Sequence, residues 1–198
     1  MNLLETLTKQ LGGDALGQIS RQLGTDEKTA GTATAAGMSA LIGALSRNAT
    51  QSDGAAALDR ALERDHNGSV LDNLSGFLGQ SESGDGAGIL RHVLGGRQRQ
   101  VETGLGQATG LDSGGVGKLL TMLAPVVMGA LGKAKRENNL DASGLSQMLG
   151  QQRQQISRQE PQASSMLDRL LDTDGDGDFD MGDAAKHGMG MLGKLFNK

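Results

Sequence analysis

Leu41-Ile42-Gly43-Ala44-Leu45 decides the fold, because it returns 86 residues later as Val127-Met128-Gly129-Ala130-Leu131. In both places a Gly-Ala pair lies among large aliphatic side chains. Upstream of the first, Ala30, Ala33, Gly37, Leu41, Ala44 and Leu45 recur at helical spacing. Such a narrow face of small residues lets another helix approach closely. Each interior glycine costs the helix roughly 1 kcal/mol relative to alanine, so tertiary packing must hold it. The same offset carries Gly24 and Asp26 onto Gly110 and Asp112, residue types that end one helix and cap the next.

Outward from these two stretches the chain remains helical in pattern. Leu3, Leu4, Leu7 and Leu11 form one stripe that stops at Gly12-Gly13, and Leu16, Ile19 and Leu23 form the next. A second correspondence, at an offset of 109, matches Leu58-Asp59-Arg60-Ala61-Leu62-Glu63 with Leu167-Asp168-Arg169-Leu170-Leu171-Asp172. The change of offset places 23 extra residues in the second copy, expected in the Gln-rich stretch 147–162 as a solvated helix end or linker. The expected architecture is all-α, with two related helical halves at residues 1–80 and 97–198. Residues 81–96 would join them through a loop and a short helix, Ile89 to Leu94. In the second long helix Pro125 stands where the first has Ser39, which predicts a kink or break near Thr121.

Composition narrows the function. Glycine numbers 32 of 198 residues, Trp, Tyr and Cys are absent, and there are only three Phe. So few aromatic residues argue against a β-sandwich and remove the stacking platforms of single-strand nucleic-acid binders. A net charge of -4 gives no general phosphate-tracking surface, so no nucleic-acid partner is expected. Without cysteine there is no disulfide framework, thiol nucleophile or Cys-ligated zinc. The longest nearly apolar run, Leu119 to Leu131, is short of the ~20 residues that span a bilayer and reads as a buried helix. Met1-Asn2-Leu3-Leu4-Glu5 lacks a basic leader, so a cytoplasmic protein is expected, with export lacking a recognisable signal left open.

One run carries chemistry. In Asp172-Thr173-Asp174-Gly175-Asp176-Gly177-Asp178-Phe179-Asp180-Met181-Gly182-Asp183, carboxylates fall at positions 1, 3, 5, 9 and 12 of a twelve-residue loop. Gly177 is at position 6, where the chain turns sharply; Asp178 supplies the position-7 carbonyl, and Phe179 is the apolar position 8. This is the ligand arrangement of an EF-hand calcium loop. All-oxygen ligands select a hard cation, so calcium is expected, with magnesium competing. Asp183 stands where glutamate is usual, and the shorter side chain weakens the site. The alternative is an acidic turn capping the last helix.

The sister loop is weaker. Glu63, Asp65, Asn67, the Ser69 carbonyl and Val70 fit positions 1, 3, 5, 7 and 8, but position 12 is Leu74 and the nearest acid is Asp72. A hydrogen-bonded Asx-type turn is the favoured alternative there. If both loops bind, Val70 and Phe179 could pair across a short bridge.

Other motifs have bland readings. His66, His92 and His187 lack a metal-site context and are expected to be structural or superficial. Gly84-Asp85-Gly86-Ala87-Gly88 follows no strand and reads as a turn. Arg97, Arg99, Lys133, Lys135 and Arg136 make small basic clusters at helix ends.

Met1-Asn2-Leu3-Leu4, Leu23-Gly24-Thr25-Asp26-Glu27-Lys28-Thr29, Asp65-His66-Asn67-Gly68-Ser69-Val70-Leu71-Asp72 and Ala124-Pro125-Val126-Val127-Met128-Gly129-Ala130-Leu131 together resemble the YidB-like bacterial family known as domain of unknown function 937. The resemblance covers most of the chain and implies a mostly helical bacterial protein. It supplies no activity, substrate or catalytic residue. Ser39 departs from the helix proline that the second copy keeps. The expected function is therefore non-enzymatic: calcium binding that orders the C-terminal helix for self-association or a protein partner. The alternative is a helical interaction scaffold that works without metal.

Overall fold

The computed structural model describes residues 3–79 and 85–159, and every regular element among them is helical. In order these are α1 (Leu3–Gln10), α2 (Asp14–Leu23), α3 (Glu27–Asn48), α4 (Ser52–Arg64), a 3₁₀ turn (Ser69–Leu71), α5 (Leu74–Gly79), α6 (Gly86–Leu94), a second 3₁₀ turn (Gly95–Arg97), α7 (Gln98–Thr109), α8 (Ser113–Glu137) and α9 (Ala142–Gln159).

Local chemistry sets the boundaries of the two long helices in parallel ways. At the end of α2, the Gly24 N–H donates to Arg21 O and the Thr25 N–H to Ser20 O, with Gly24 left-handed at φ 65°. Asp26 then caps α3, its Oδ1 accepting from the Thr29 N–H at 3.0 Å. Gly110, at φ 79°, closes α7 with a bond to Gly106 O, and Asp112 Oδ1 accepts from the Gly115 N–H at 3.0 Å to start α8.

α3 and α8 cross at the centre of one contiguous apolar core. Their contact is close because Gly37 has no side chain: a Cβ there would lie 3.0 Å from Leu123 Cδ1 and 3.4 Å from Leu120 Cδ2. The remaining helices cover this pair. α1 contributes Leu3 and Leu7 to the core, and α6 contributes Ile89, Leu90, Val93 and Leu94. By length and composition α8 could cross a membrane, but most of its apolar window is buried by the other helices.

Of the kink or break expected at Pro125, the break does not occur: α8 runs continuously through it. Proline leaves the Thr121 carbonyl without its usual amide partner; here α6 packs so tightly on that carbonyl that a Cβ on Gly86 would collide with it.

Of the two readings of the Gln-rich stretch, helix end or linker, the described part is helix, with Gln151 and Gln154 exposed. As far as Gln159 it lies in α9, where Leu145, Leu149, Gln152 and Ile156 form a buried stripe against α3 and α4. Gln152 accepts the Leu3 N–H at 3.1 Å, and Ser146 Oγ donates to Ala49 O at 2.8 Å. Glutamine at the first of these positions is buried because it bonds a backbone group that would otherwise lack a partner.

Candidate functional site

The best-formed candidate site is the segment that leaves α4 and crosses α8. Its backbone is shaped by Asn67 and Gly68. Asn67 Oδ1 accepts the Ser69 N–H at 3.0 Å, an Asx-type turn. Gly68 adopts φ 88°, a left-handed conformation that side chains disfavour. It also lies where a Cβ would be 3.1 Å from both Gly129 O and Lys133 Cβ, so glycine is required twice over.

The loop is received by the small-residue face of α8. A Cβ on Gly132 would collide with His66 O, and one on Gly129 would come within 2.5 Å of Val70 Cγ1. Gly129 and Gly132 are thus the seat of the Asp65–Val70 segment. The two sequence motifs that carry the family resemblance in the middle of the chain touch each other.

A polar bridge fixes the approach of α4. The Lys135 ammonium, one-tenth exposed, lies 2.8 Å from Asp59 Oδ1 and 2.6 Å from Glu63 Oε1. The Asp59 and Glu63 carboxylates hold its pKa above the ordinary 10.5. Reading Lys135 as part of a small basic cluster at a helix end missed this role. The available signal was its neighbourhood: buried Leu131 and Ala134 place it beside the apolar stripe.

A cavity of about 780 Å³ opens beside the loop, lined by Asp65, His66, Asn67 and Ser69 on one wall and by Phe77, Ile89 and Pro125 on the other. Burial pushes the His66 imidazole below its ordinary pKa, with Asp65 and Asp85 opposing. At neutral pH this ring is uncharged, and the cavity's fixed charge comes from the two aspartates. His92 is engaged with its own helix, its Nδ1 2.8 Å from Gly88 O.

The residues expected as ligands of the first loop have these neighbours. Glu63 faces Lys135, Asn67 Oδ1 is occupied by the Ser69 amide, and Asp65 lies 3.8 Å from the Arg64 guanidinium. Asp72 follows the 3₁₀ turn, its N–H donating to Ser69 O. Among the described residues no three His, Asp or Glu side chains gather as a metal-holding group. The second loop, Asp172, Asp174, Asp176, Asp178, Asp180 and Asp183, lies outside the described residues, as do His187 and any Val70–Phe179 pairing.

The class defined by this geometry is an all-helical protein in which a conformationally specified Asx-Gly loop docks on a glycine-bearing central helix. Residues 5–134 match the model of a bacterial protein family of unknown function, DUF937, and the chain belongs to that family. The match includes α8 up to Ala134 and the Asp65–Val70 loop, and ends before α9 and the acidic run. No match is found among curated proteins or among solved structures.

Proposed function

We propose that this protein is a non-enzymatic helical binding protein whose C-terminal acidic loop takes a calcium ion, and that the cation controls self-association or capture of a protein partner. The observation that carries this reading is the ligand register of Asp172–Asp183, with oxygen donors at positions 1, 3, 5, 7, 9 and 12 and Gly177 at the turn. Six carboxylates in twelve residues repel one another, and a divalent cation relieves that repulsion. With Asp183 in the last position, the expected dissociation constant is about 10⁻⁵ to 10⁻³ M, and calcium is preferred to magnesium by a small margin.

Calorimetric titration of calcium and magnesium into the chelator-treated full chain, with light scattering, tests the reading. Asp172→Ala or Asp176→Ala should abolish the calcium heat, Asp183→Glu should increase affinity, and Glu63→Ala should change little. Unchanged affinity in both Asp176→Ala and Asp183→Glu would leave an acidic turn in place of a metal site.

A scaffold that associates without metal is the second reading. It is supported by the first loop, where Lys135 supplies the positive charge opposite Glu63 and the Ser69 amide takes Asn67 Oδ1. Concentration-dependent size that ignores chelator would favour it.

We further infer that the two halves descend from one duplicated plan. Support comes from the matched Gly24–Asp26 and Gly110–Asp112 junctions, and from the crossing of the long helices. Gly37 meets Leu123, which is its own counterpart at the offset of 86. Two copies related by a two-fold axis bring equivalent positions face to face at that axis.

A further inference from the structure

A two-fold relation makes every off-axis contact occur twice: if loop one touches helix two, loop two touches helix one. The first contact of such a pair is the seating of Gly68 and Val70 on Gly129, and of His66 on Gly132. Its counterparts are Gly177 and Phe179 on the loop side, and Gly43 and Ser46 on the helix side. Arg136, whose guanidinium would lie 3.5 Å from a Cβ on Gly68, corresponds to Thr50.

The described part of the molecule leaves a matching face on α3. Among the described residues nothing lies within 4 Å of a Cβ built on Gly43, whereas one on Gly129 meets Val70. Ser46, which is itself buried, and Thr50, just past the end of α3, line a groove of about 470 Å³. Its other wall is α9, with Gly150, Arg153 and Arg158. The lining contains two arginines and no carboxylate, the charge that an acidic segment needs.

We propose that the occupant of this face is the chain's own Asp172–Asp183 segment, with Phe179 against Gly43 as Val70 lies against Gly129. Connectivity permits it. Arg158 lines the groove one residue before α9 ends, and the twelve residues 160–171 that follow reach up to about 40 Å when extended. Charge favours it as well. Six carboxylates with one divalent cation retain a charge of about −4, which Arg153 and Arg158 face across the groove. The inference rests on the repeat correspondence proposed above, and calcium is not needed to draw it.

The natural chain has no cysteine, so paired cysteines report the contact cleanly. Val70→Cys with Gly129→Cys is the positive control, because Val70 Cβ lies 3.9 Å from a Cβ built on Gly129, within the range a disulfide spans. Gly43→Cys with Phe179→Cys in the full chain should form an intramolecular disulfide under mild oxidation. It should form at least about tenfold faster than the decoy pair Gly43→Cys with Phe196→Cys. Absence of the bond, equal rates for pair and decoy, or a bond only between chains would overturn the proposal; the last outcome would mean that a second copy occupies the face. Calcium titration of the same samples separates the two readings. A disulfide without calcium binding upholds the docking and removes the metal, whereas calcium binding without the disulfide does the reverse. If the cysteine pair fails to fold, Gly43→Leu alone decides. Its bulk should displace the segment and raise the rate of proteolysis beyond Gln159 about tenfold or more while the helical circular dichroism persists. An unchanged rate would overturn the proposal.

Discussion

α8 and α3 share the way they start and one short run of sequence, and they differ in what rests on them. Each starts from an aspartate cap after a left-handed glycine, and each contains a Gly-Ala-Leu run. On α8 that run is the floor beneath the Asp65–Val70 loop, with backbone packed on backbone at Gly132. On α3, among the described residues, a Cβ at Gly43 would meet nothing within 4 Å, and the buried Ser46 lies at the edge of a groove. A small residue in a helix therefore records a permitted close approach. Whether the approach occurs depends on the partner that the rest of the chain delivers.

The comparison can be broken most forcefully at Gly132. Gly132→Val should destabilise the protein by about 3 kcal/mol, at the upper end of overpacking costs, because the obstacle is the His66 carbonyl and backbone cannot rotate away. Chemical denaturation measures this, and a loss below that of Gly129→Ala would place the tight contact elsewhere.

Next in size is Lys135, near the end of α8. Lys135→Ala strands Asp59 and Glu63 and should cost about 2 kcal/mol, moderated by the exposure of Glu63. Its pH dependence has a definite sign. The folded-state pKa is raised above 10.5, so the contribution is complete below pH 10.5 and is lost as pH rises through the folded value. Wild type should lose stability there, and Lys135→Ala should lack that component in denaturation curves taken across alkaline pH.

A smaller effect tests the shared start of the two helices. Asp112→Ala removes the acceptor for the Gly115 N–H and should cost about 1 kcal/mol, measured by thermal melting. Asp26 makes the same bond at α3, and its hydrogen bonds from Thr29 lower its carboxyl pKa. Its contribution is present above the ordinary carboxylate pKa of 3.8 and is lost as pH falls through the folded value. Asp26→Asn should flatten that acid limb.

The smallest expected change is a gain. On α3 a Cβ at Gly31 would make ordinary contact with Leu16 at 3.7 Å, so Gly31→Ala should stabilise by about 0.5–1 kcal/mol in the same melting assay. A loss would show that α3 needs its glycines for packing as much as α8 does.

The sequence by itself determined the helical class, the aspartate caps, the left-handed glycine stops and the burial of the Leu119–Leu131 run. These follow from spacing and from backbone chemistry local to each residue. It also marked Asp65–Asp72 and Ala124–Leu131 among the motifs that carry the family resemblance, without saying that they meet. Tertiary structure alone decided that Gly129 and Gly132 receive the loop, that Lys135 turns inward to Asp59 and Glu63, and that α8 continues through Pro125. It also buried Gln152 of α9, which accepts the Leu3 amide across the fold. The division has one physical cause. Helix propensity and capping act over a single turn of chain, while a buried lysine, glutamine or glycine is stable only through an atom supplied from residues far away in sequence.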